Sequence, residues 1–328
     1  MYLLFLPFFL IEIFLYKFFN KKNSKYSYQF FLKLYATFGG LVNKYLSTIL
    51  SNKKNDNNIA QSKVIEKFID SNLITKKIFT DGHYFIKDAI KDDTINEIIK
   101  FTNTLKGKYI SEKYKSEIAE ILDFNNLKAT KFSYSPDQFI ENKIIQEIIL
   151  DEKILNVSSS YLNCAPVIDN IQLFWSFAGH RADKEAAQYW HFDMDRPRWI
   201  KIFLYLTDCN ELNGPHKFIE RTHLMAMGIK ENLRKKGYTR LEDREIEQCY
   251  SGEQIKTFTA KKGSILFEDT SGLHKGQNVI QGSRLMLIFQ YSSSLFGSHS
   301  PKIKMPKNIS KIFLDNFNKN KKMFDNFY

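Results

Sequence analysis

Gly263–Tyr291 reads GSILFEDTSGLHKGQNVIQGSRLMLIFQY, and its rhythm decides the fold class. Three runs, Ser264–Phe267, His274–Ile280 and Arg284–Tyr291, are rich in Ile, Leu, Val and Phe and too short for ordinary helices. Ser271-Gly272 and Gln281-Gly282-Ser283 punctuate them as turns. The same rhythm runs upstream through Gln254–Thr259, Lys217–Glu220, Trp199–Leu206 and Ile168–Phe177, with Lys262-Gly263 and Asn213-Gly214-Pro215 as further turns. One helical insertion, Leu224–Lys236 with Leu241–Gln248, interrupts this series. Ahead of Pro166 the pattern is helical over Asn142–Leu150 and Asp151–Leu162. Farther back come a short strand, His83–Lys87, and a helix, Ile95–Phe101, that Asp92-Asp93-Thr94 can cap. Helices first and then seven or more short strands predict an α+β chain built around a jelly roll of cupin-like form, with the N-terminal helices packed on one sheet.

At 328 residues the chain can hold one large core with modest extensions. Composition predicts an apolar segment at 1–19, a polar helical extension and linker at 20–74, the main domain at 75–300 and a basic tail at 301–328. The net charge of +12 comes from scattered lysines. There is neither an arginine-rich helix nor a basic strip interleaved with aromatics, so nucleic acid is not an expected partner. Cys164, Cys209 and Cys249 are odd in number and lack C-x-x-C spacing, which argues against a disulfide framework or a thiolate zinc site. They fit a reducing, cytoplasmic setting. Oligomeric state is not legible.

Met1–Phe19, MYLLFLPFFLIEIFLYKFF, lacks the charged start and small-residue end of a secretory signal. Glu12 would cost roughly 2.5–3.5 kcal/mol in mid-membrane. Two readings stay open: a peripheral membrane contact through residues 1–19, with Lys17, Lys21, Lys22 and Lys25 on the cytoplasmic side, or a hydrophobic helix packed on the rest of the chain. Ser51–Asn58 (SNKKNDNN) has the composition of an exposed linker.

The chemistry concentrates in Tyr189–Asp195, YWHFDMD. Residues i and i+2 of an extended chain share a face, so His191 and Asp193 can offer an imidazole nitrogen and a carboxylate oxygen to one metal. Two histidines and a carboxylate on one face of an octahedron leave three positions open, the arrangement of oxygen-activating non-haem iron sites. With seven histidines and 36 acidic residues, chance supplies about 0.8 H-x-D/E matches, so the motif needs support. The second element is His274–Arg284 (HKGQNVIQGSR) on the expected last hairpin. A turn at Gln281-Gly282 would set Arg284 opposite Asn278, roughly 13 Å along from His274. A five-carbon dicarboxylate could bridge that gap, and the planar guanidinium fork suits a carboxylate.

In His83–Ile90 (HYFIKDAI), Trp190–Asp193, Lys201–Asp208 (KIFLYLTD), Asn213–His223 (NGPHKFIERTH), Gly263–Phe267 and the His274…Arg284 pair, in that order, the chain resembles the phytanoyl-CoA dioxygenase family. The resemblance covers Ile78 to Ser294. It implies a double-stranded β-helix, with His191, Asp193 and His274 as Fe(II) ligands and Arg284 on the distal carboxylate of 2-oxoglutarate. It also implies O2 as second co-substrate, decarboxylation to succinate, and hydroxylation of an unactivated C–H bond. Related halogenases lack the carboxylate, so Asp193 favours hydroxylation. The segment Glu220–His223 departs from the family's usual P-G-S-H, which bears on loop geometry. The first 75 residues match nothing in the pattern.

Other residues carry weaker expectations. Gln172, on the strand before the H-x-D, and Lys201, sharing a face with Phe203 and Tyr205, are candidate co-substrate contacts; ordinary sheet packing is the alternative for both. His216 and His223 fit structural hydrogen bonding better than metal ligation. Trp190 and Trp199 flank the motif, as buried aromatics do in any core. His180 and Arg181 fall in an expected entrance loop. The functional expectation is a dioxygenase hydroxylating a small or lipid-like metabolite. Its rivals are a jelly-roll binding domain without catalysis and a cupin-type metalloenzyme that does not use 2-oxoglutarate.

Overall fold

The structure is a computed structural model and describes residues 5–51, 62–67, 70–179, 181–224, 228–237 and 239–328. His180 and most of the Ser51–Asn58 stretch lie outside the described residues.

Three helices come first: α1 (Leu6–Phe19), α2 (Lys25–Phe38) and α3 (Leu41–Leu50). Next come α4 (Ser71–Asp81), β1 (His83–Ile86), α5 (Asp92–Thr102), β2 (Lys106–Ile110), β3 (Glu120–Ile121) and β4 (Lys131–Tyr134). A helical stretch follows, α6 (Pro136–Phe139), α7 (Lys143–Ile149) and α8 (Glu152–Leu162), and then the strands β5 (Val167–Phe177), β6 (Trp199–Tyr205) and β7 (His216–Ile219). Two short helices, α9 (Glu231–Arg234) and α10 (Asp243–Glu247), precede β8 (Ile255–Phe258), β9 (Ile265–Glu268), β10 (His274–Gly276) and β11 (Ser283–Ser292). The last helix is α11 (Lys311–Lys319).

Eight strands make one antiparallel sheet in the order β1-β9-β6-β11-β5-β4-β2-β3, and β10-β7-β8 make a second. The two face each other as a double-stranded β-helix. Period-two alternation sorts the large sheet into its faces. Ile171, Leu173, Trp175, Leu285, Leu287, Phe289, Ile200, Ile202 and Leu204 point outward into a core completed by helical Ile74, Ile78, Ile95, Ile98, Ile145, Ile148 and Ile154. Phe174, Phe203, Tyr205, Leu266 and Met286 point inward and meet Phe218 and Phe258 of the small sheet. The helices α4 to α8 thus back one sheet, as the pattern predicts. Phe313, Phe324 and Phe327 from the last residues join the same outer core.

Helix α1 to α3 take another position. Phe9, Phe30, Phe31, Tyr35, Leu46 and Leu50 share a second core with Trp190, Phe192, Met194 and Trp199. They therefore support the segment that carries the H-x-D pair. The break between α2 and α3 falls at Gly39, whose φ of 64° suits glycine. Glu12, the charge inside the apolar run, accepts a hydrogen bond from the Ser24 backbone N–H at 2.8 Å and so holds the start of α2.

Three expectations need correction. Helix α5 begins at Asp92, with Lys91 as N-cap and no side-chain cap; Asp92 and Asp93 lie in the first turn, where they favour the positive end of the helix dipole. The insertion expected over 224–236 and 241–248 keeps only the short α9 and α10 among the described residues. Gly237 turns the chain there with φ 78°, and Leu241 pairs in an extended bridge with Trp190. Strands β2 to β4, of five, two and four residues, are too short to announce themselves in the sequence. Finally, His274 and Arg284 do not share a hairpin. Strand β10 pairs with β7 and β11 with β5 and β6, so the two residues lie on opposite sheets. The backbone between them is held by other partners: Gln277 N–H by Pro215 O, Ile280 N–H by Leu212 O, and Val279 O by Gly179 N–H.

Candidate metal and co-substrate site

His191 and His274 are 83 positions apart in the chain, yet they are direct partners in an antiparallel bridge. His191 N–H donates to His274 O at 3.0 Å and His274 N–H returns the bond at 2.8 Å. Asp193 N–H donates to Thr270 O at 2.8 Å, continuing the pairing. The H-x-D segment therefore adds an irregular edge beside β10, which brings its two inward side chains to the histidine of the neighbouring segment.

Both imidazoles are oriented by backbone. His191 Nδ1 lies 2.9 Å from Tyr189 O, and His274 Nδ1 lies 3.0 Å from Gly272 O. A carbonyl only accepts, so each Nδ1 must carry the proton, leaving Nε2 as the free lone pair. His191 Nε2 is 3.9 Å from Asp193 Oδ1, and His274 Nε2 is 3.6 Å from Asp193 Oδ2. One ligand atom from each of the three residues falls within 4.8 Å of the others. Ligands at right angles around an ion with bonds of about 2.1 Å sit about 3 Å apart, so small side-chain adjustments would close the set. Among the described residues no other group of this kind occurs.

Electrostatics prepare the same ligand set. Burial holds both imidazoles below the ordinary histidine range, His191 the more strongly, with the His274 charge adding to that shift. Burial would raise Asp193, but attraction from its neighbours, the Lys201 ammonium foremost, holds the carboxyl far below the usual range. Neutral imidazoles and an ionised carboxylate are the protonation states that metal binding requires.

The triad opens into a cavity of about 310 Å³ between the sheets, and Arg284, Gln172 and Lys201 line it too. Arg284 is only 6% exposed, and its Nη1 donates to Gly214 O while its Nε has no partner. Gly214 occupies a φ of 84°, and a Cβ there would come within 2.7 Å of Val279 and 2.8 Å of Gln277 O, so glycine is required where the arginine is gripped. Gly276, on the same face of β10 as His274, has Arg284 Nη2 only 3.5 Å from where its Cβ would stand. A side chain at 276 would fill the gap between the imidazole and the guanidinium. An orphaned buried donor beside a space kept clear by glycine fits a small dicarboxylate lying between Arg284 and the triad. Lys201 Nζ sits 2.5 Å from Asp193 Oδ2 and 3.5 Å from Asp195 Oδ2. Gln172 faces the cavity from β5, on the same face as Asn170 and Phe174.

Several residues here escaped sequence reasoning. Lys131 lines the cavity, its ammonium 4.3 Å from the centre of the Phe174 ring, and burial lowers it to about 8. Arg240 lines it from the loop before α10. Neither carried a signal, because β4 and the 239–242 segment reach the site only through tertiary pairing. Arg196, three residues past Asp193, is buried and donates through Nε and Nη2 to the two oxygens of Asp169 at 2.8 and 2.6 Å. His216 lies 3.0 Å from both oxygens of the buried Glu268, and His223 Nε2 lies 3.3 Å from Phe79 O. Neither histidine belongs to the ligand set. Trp190 and Trp199 donate to Asp243 and Thr270 within the second core and do not line the cavity.

Such a fold and site define the non-haem iron oxygenases that use 2-oxoglutarate. Within that class the chain belongs to the phytanoyl-CoA dioxygenase (PhyH) family, whose profile matches residues 80–285. It is an Fe(II)/2-oxoglutarate-dependent oxygenase. The solved structure of HygX from Streptomyces hygroscopicus, with nickel and 2-oxoglutarate bound, shares the fold at a TM-score of 0.50 and 12% identity, over 74% of this chain and 94% of that one. EctD from S. alaskensis with bound Fe aligns at a TM-score of 0.45 and 15% identity, over 78% and 86%. No curated protein sequence matches the chain.

Proposed function

We propose that this dioxygenase hydroxylates a small or lipid-like molecule, holding Fe(II) with His191, Asp193 and His274 and the distal carboxylate of 2-oxoglutarate with Arg284. The observation that carries the assignment is one cavity lined by both the three convergent ligand atoms and a buried guanidinium with an unpartnered Nε. Iron, 2-oxoglutarate and O2 together supply the oxidising power, with succinate and CO2 as by-products.

The chain's own residues do the rest. Tyr189 O and Gly272 O fix the imidazole tautomers. Lys201 keeps Asp193 ionised and in place. The Arg284 fork binds a carboxylate through paired hydrogen bonds. Lys131, Lys201 and Arg240 add positive charge to the walls, which suits an anionic co-substrate, and we assign Gln172 and Lys201 as its further contacts. Phe174, Phe203, Met286 and Ile288 form an apolar wall that keeps water from the reacting carbon and offers a surface to a greasy substrate. The apolar α1 supports the lipid-like member of the class, since a peripheral membrane contact through residues 1–19 would deliver it.

The test is iron stoichiometry together with succinate release. Wild type should bind one iron and release succinate only with 2-oxoglutarate present. His191→Ala and Asp193→Ala should lose both while staying folded, and full activity in either would sink the triad. Arg284→Ala should keep iron and raise the 2-oxoglutarate KM at least tenfold, since loss of a charge-assisted pair costs about 1.5–3 kcal/mol. Turnover indifferent to Arg284→Ala would point to a metalloenzyme that does not use 2-oxoglutarate, and iron bound without succinate release to a binding domain.

A further inference from the structure

Helix α1 is apolar on every side, yet only Phe9 is buried. Phe8 and Phe18 are each 68% exposed, Phe19 is 62%, and Leu10, Ile11 and Phe14 are more than half exposed. Scattered apolar side chains are ordinary on a protein surface, but a continuous patch of this kind marks an interaction site. The helix is also firmly seated. Phe9 meets the edges of Phe30 and Phe296 at 5.1 and 5.8 Å, Tyr16 Oη accepts from Leu295 N–H at 2.7 Å, and Glu12 accepts from Ser24 N–H. The greasy face is therefore held outward.

The charge that α1 and α2 themselves carry is nearly all of one sign, and the half-buried Asp325 lies against Asn20 at the end of α1. Lys17, Lys21, Lys22 and Lys25 are exposed at the C-terminal end of α1 and the start of α2. From residue 5 to 38 the only acidic residue is Glu12, which is committed to capping α2. Helix α3, which packs against α1, adds a second exposed stripe at helical spacing, Leu41, Tyr45 and Ile49, with Lys44 beside it.

We propose that this face docks on the surface of a bilayer containing anionic phospholipid, with α1 lying in the interface plane. Phenylalanines and leucines would enter the acyl boundary while the lysines meet the headgroups. Fourteen residues of helix span only about 21 Å, short of a hydrocarbon core of about 30 Å. No described helix is long and apolar enough to cross a membrane. A second copy of the chain is the poorer occupant, because a self-complementary contact would set the same lysines against one another.

Cosedimentation with vesicles tests this on the full chain, with and without iron. The wild type should bind vesicles of roughly three parts phosphatidylcholine to one phosphatidylserine and bind pure phosphatidylcholine far more weakly. Lys21→Gln with Lys25→Gln should weaken anionic binding by about 25-fold, roughly fivefold per lysine. Phe8→Ser, Phe14→Ser and Phe18→Ser together should abolish it. As a second probe, Phe14→Trp places an indole on the exposed face, and its emission should shift to the blue when anionic vesicles are added. Absent binding to anionic vesicles, or an indole whose emission does not move on the bound chain, overturns the proposal. A vesicle-free dimer that the triple serine variant turns into a monomer also overturns it and assigns the face to self-association. Succinate release in vesicle-free buffer reports on the oxygenase assignment separately, so the two can fail independently.

Discussion

Gly276 shows how much a single missing side chain can decide. It stands two residues past His274 on the same strand face, next to the guanidinium of Arg284. Replacing it with leucine should leave iron binding intact, because no ligand moves, and raise the 2-oxoglutarate KM by at least tenfold as the space between triad and arginine fills. Unchanged KM in Gly276→Leu would mean the co-substrate lies elsewhere. The convergence of His191 and Asp193 was legible at this scale, since H-x-D in an extended segment offers two candidate ligands from one face. Arg284 stood out as a candidate carboxylate partner, and the structure places it on the wall of the same cavity, by a route the sequence did not show. The hairpin that would have brought it beside His274 does not exist, and it arrives from the opposite sheet instead.

At the scale of elements, two buried polar pairs, one ionic and one uncharged, tie the strands around the site. Arg196 clamps the loop after Asp193 onto Asp169 of β5, and Gln290 and Ser292 of β11 donate to the same carboxylate. Removing the guanidinium would leave Asp169 buried without its counter-charge, so Arg196→Ala should cost about 3–5 kcal/mol, read as a lowered urea midpoint. The other pair is His216 of β7 with Glu268 of β9, which bridges the two sheets. Burial raises Glu268 to about 8 and, with the Arg284 charge, lowers His216 to about 3. Between pH 4.5 and 8 the folded Glu268 holds a proton that the unfolded chain has lost, so its contribution to stability falls as pH rises. His216 works the other way below 6.5, where the unfolded chain binds a proton that the folded one refuses. The two cancel at lower pH, leaving a net decline between about 6.5 and 8 worth about 2 kcal/mol in the iron-free protein. Glu268→Gln should flatten that decline in urea titrations, and an unaltered slope would remove the pair from the account.

Across the whole molecule, three apolar clusters divide the work. The outer core glues helices and the final residues onto the large sheet, and the inner face of that sheet is left for chemistry. Phe313 of α11 is fully buried there, so Phe313→Ala should cost about 3–5 kcal/mol without changing iron affinity in the folded fraction. Lost iron affinity in the folded fraction would show that this core and the site are mechanically one.

Strand periodicity and turn residues specify a jelly roll because alternation of two is a local property: each strand carries its own inside and outside in its side chains. The same locality makes His191 and Asp193 readable as a pair. Which strands become neighbours is set by long-range pairing and core packing, to which residues separated by tens of positions contribute together. That is why the bridge between His191 and His274, the arrival of Lys131 and Arg240, and the placement of α1 to α3 behind the H-x-D segment emerge only when the chain is folded.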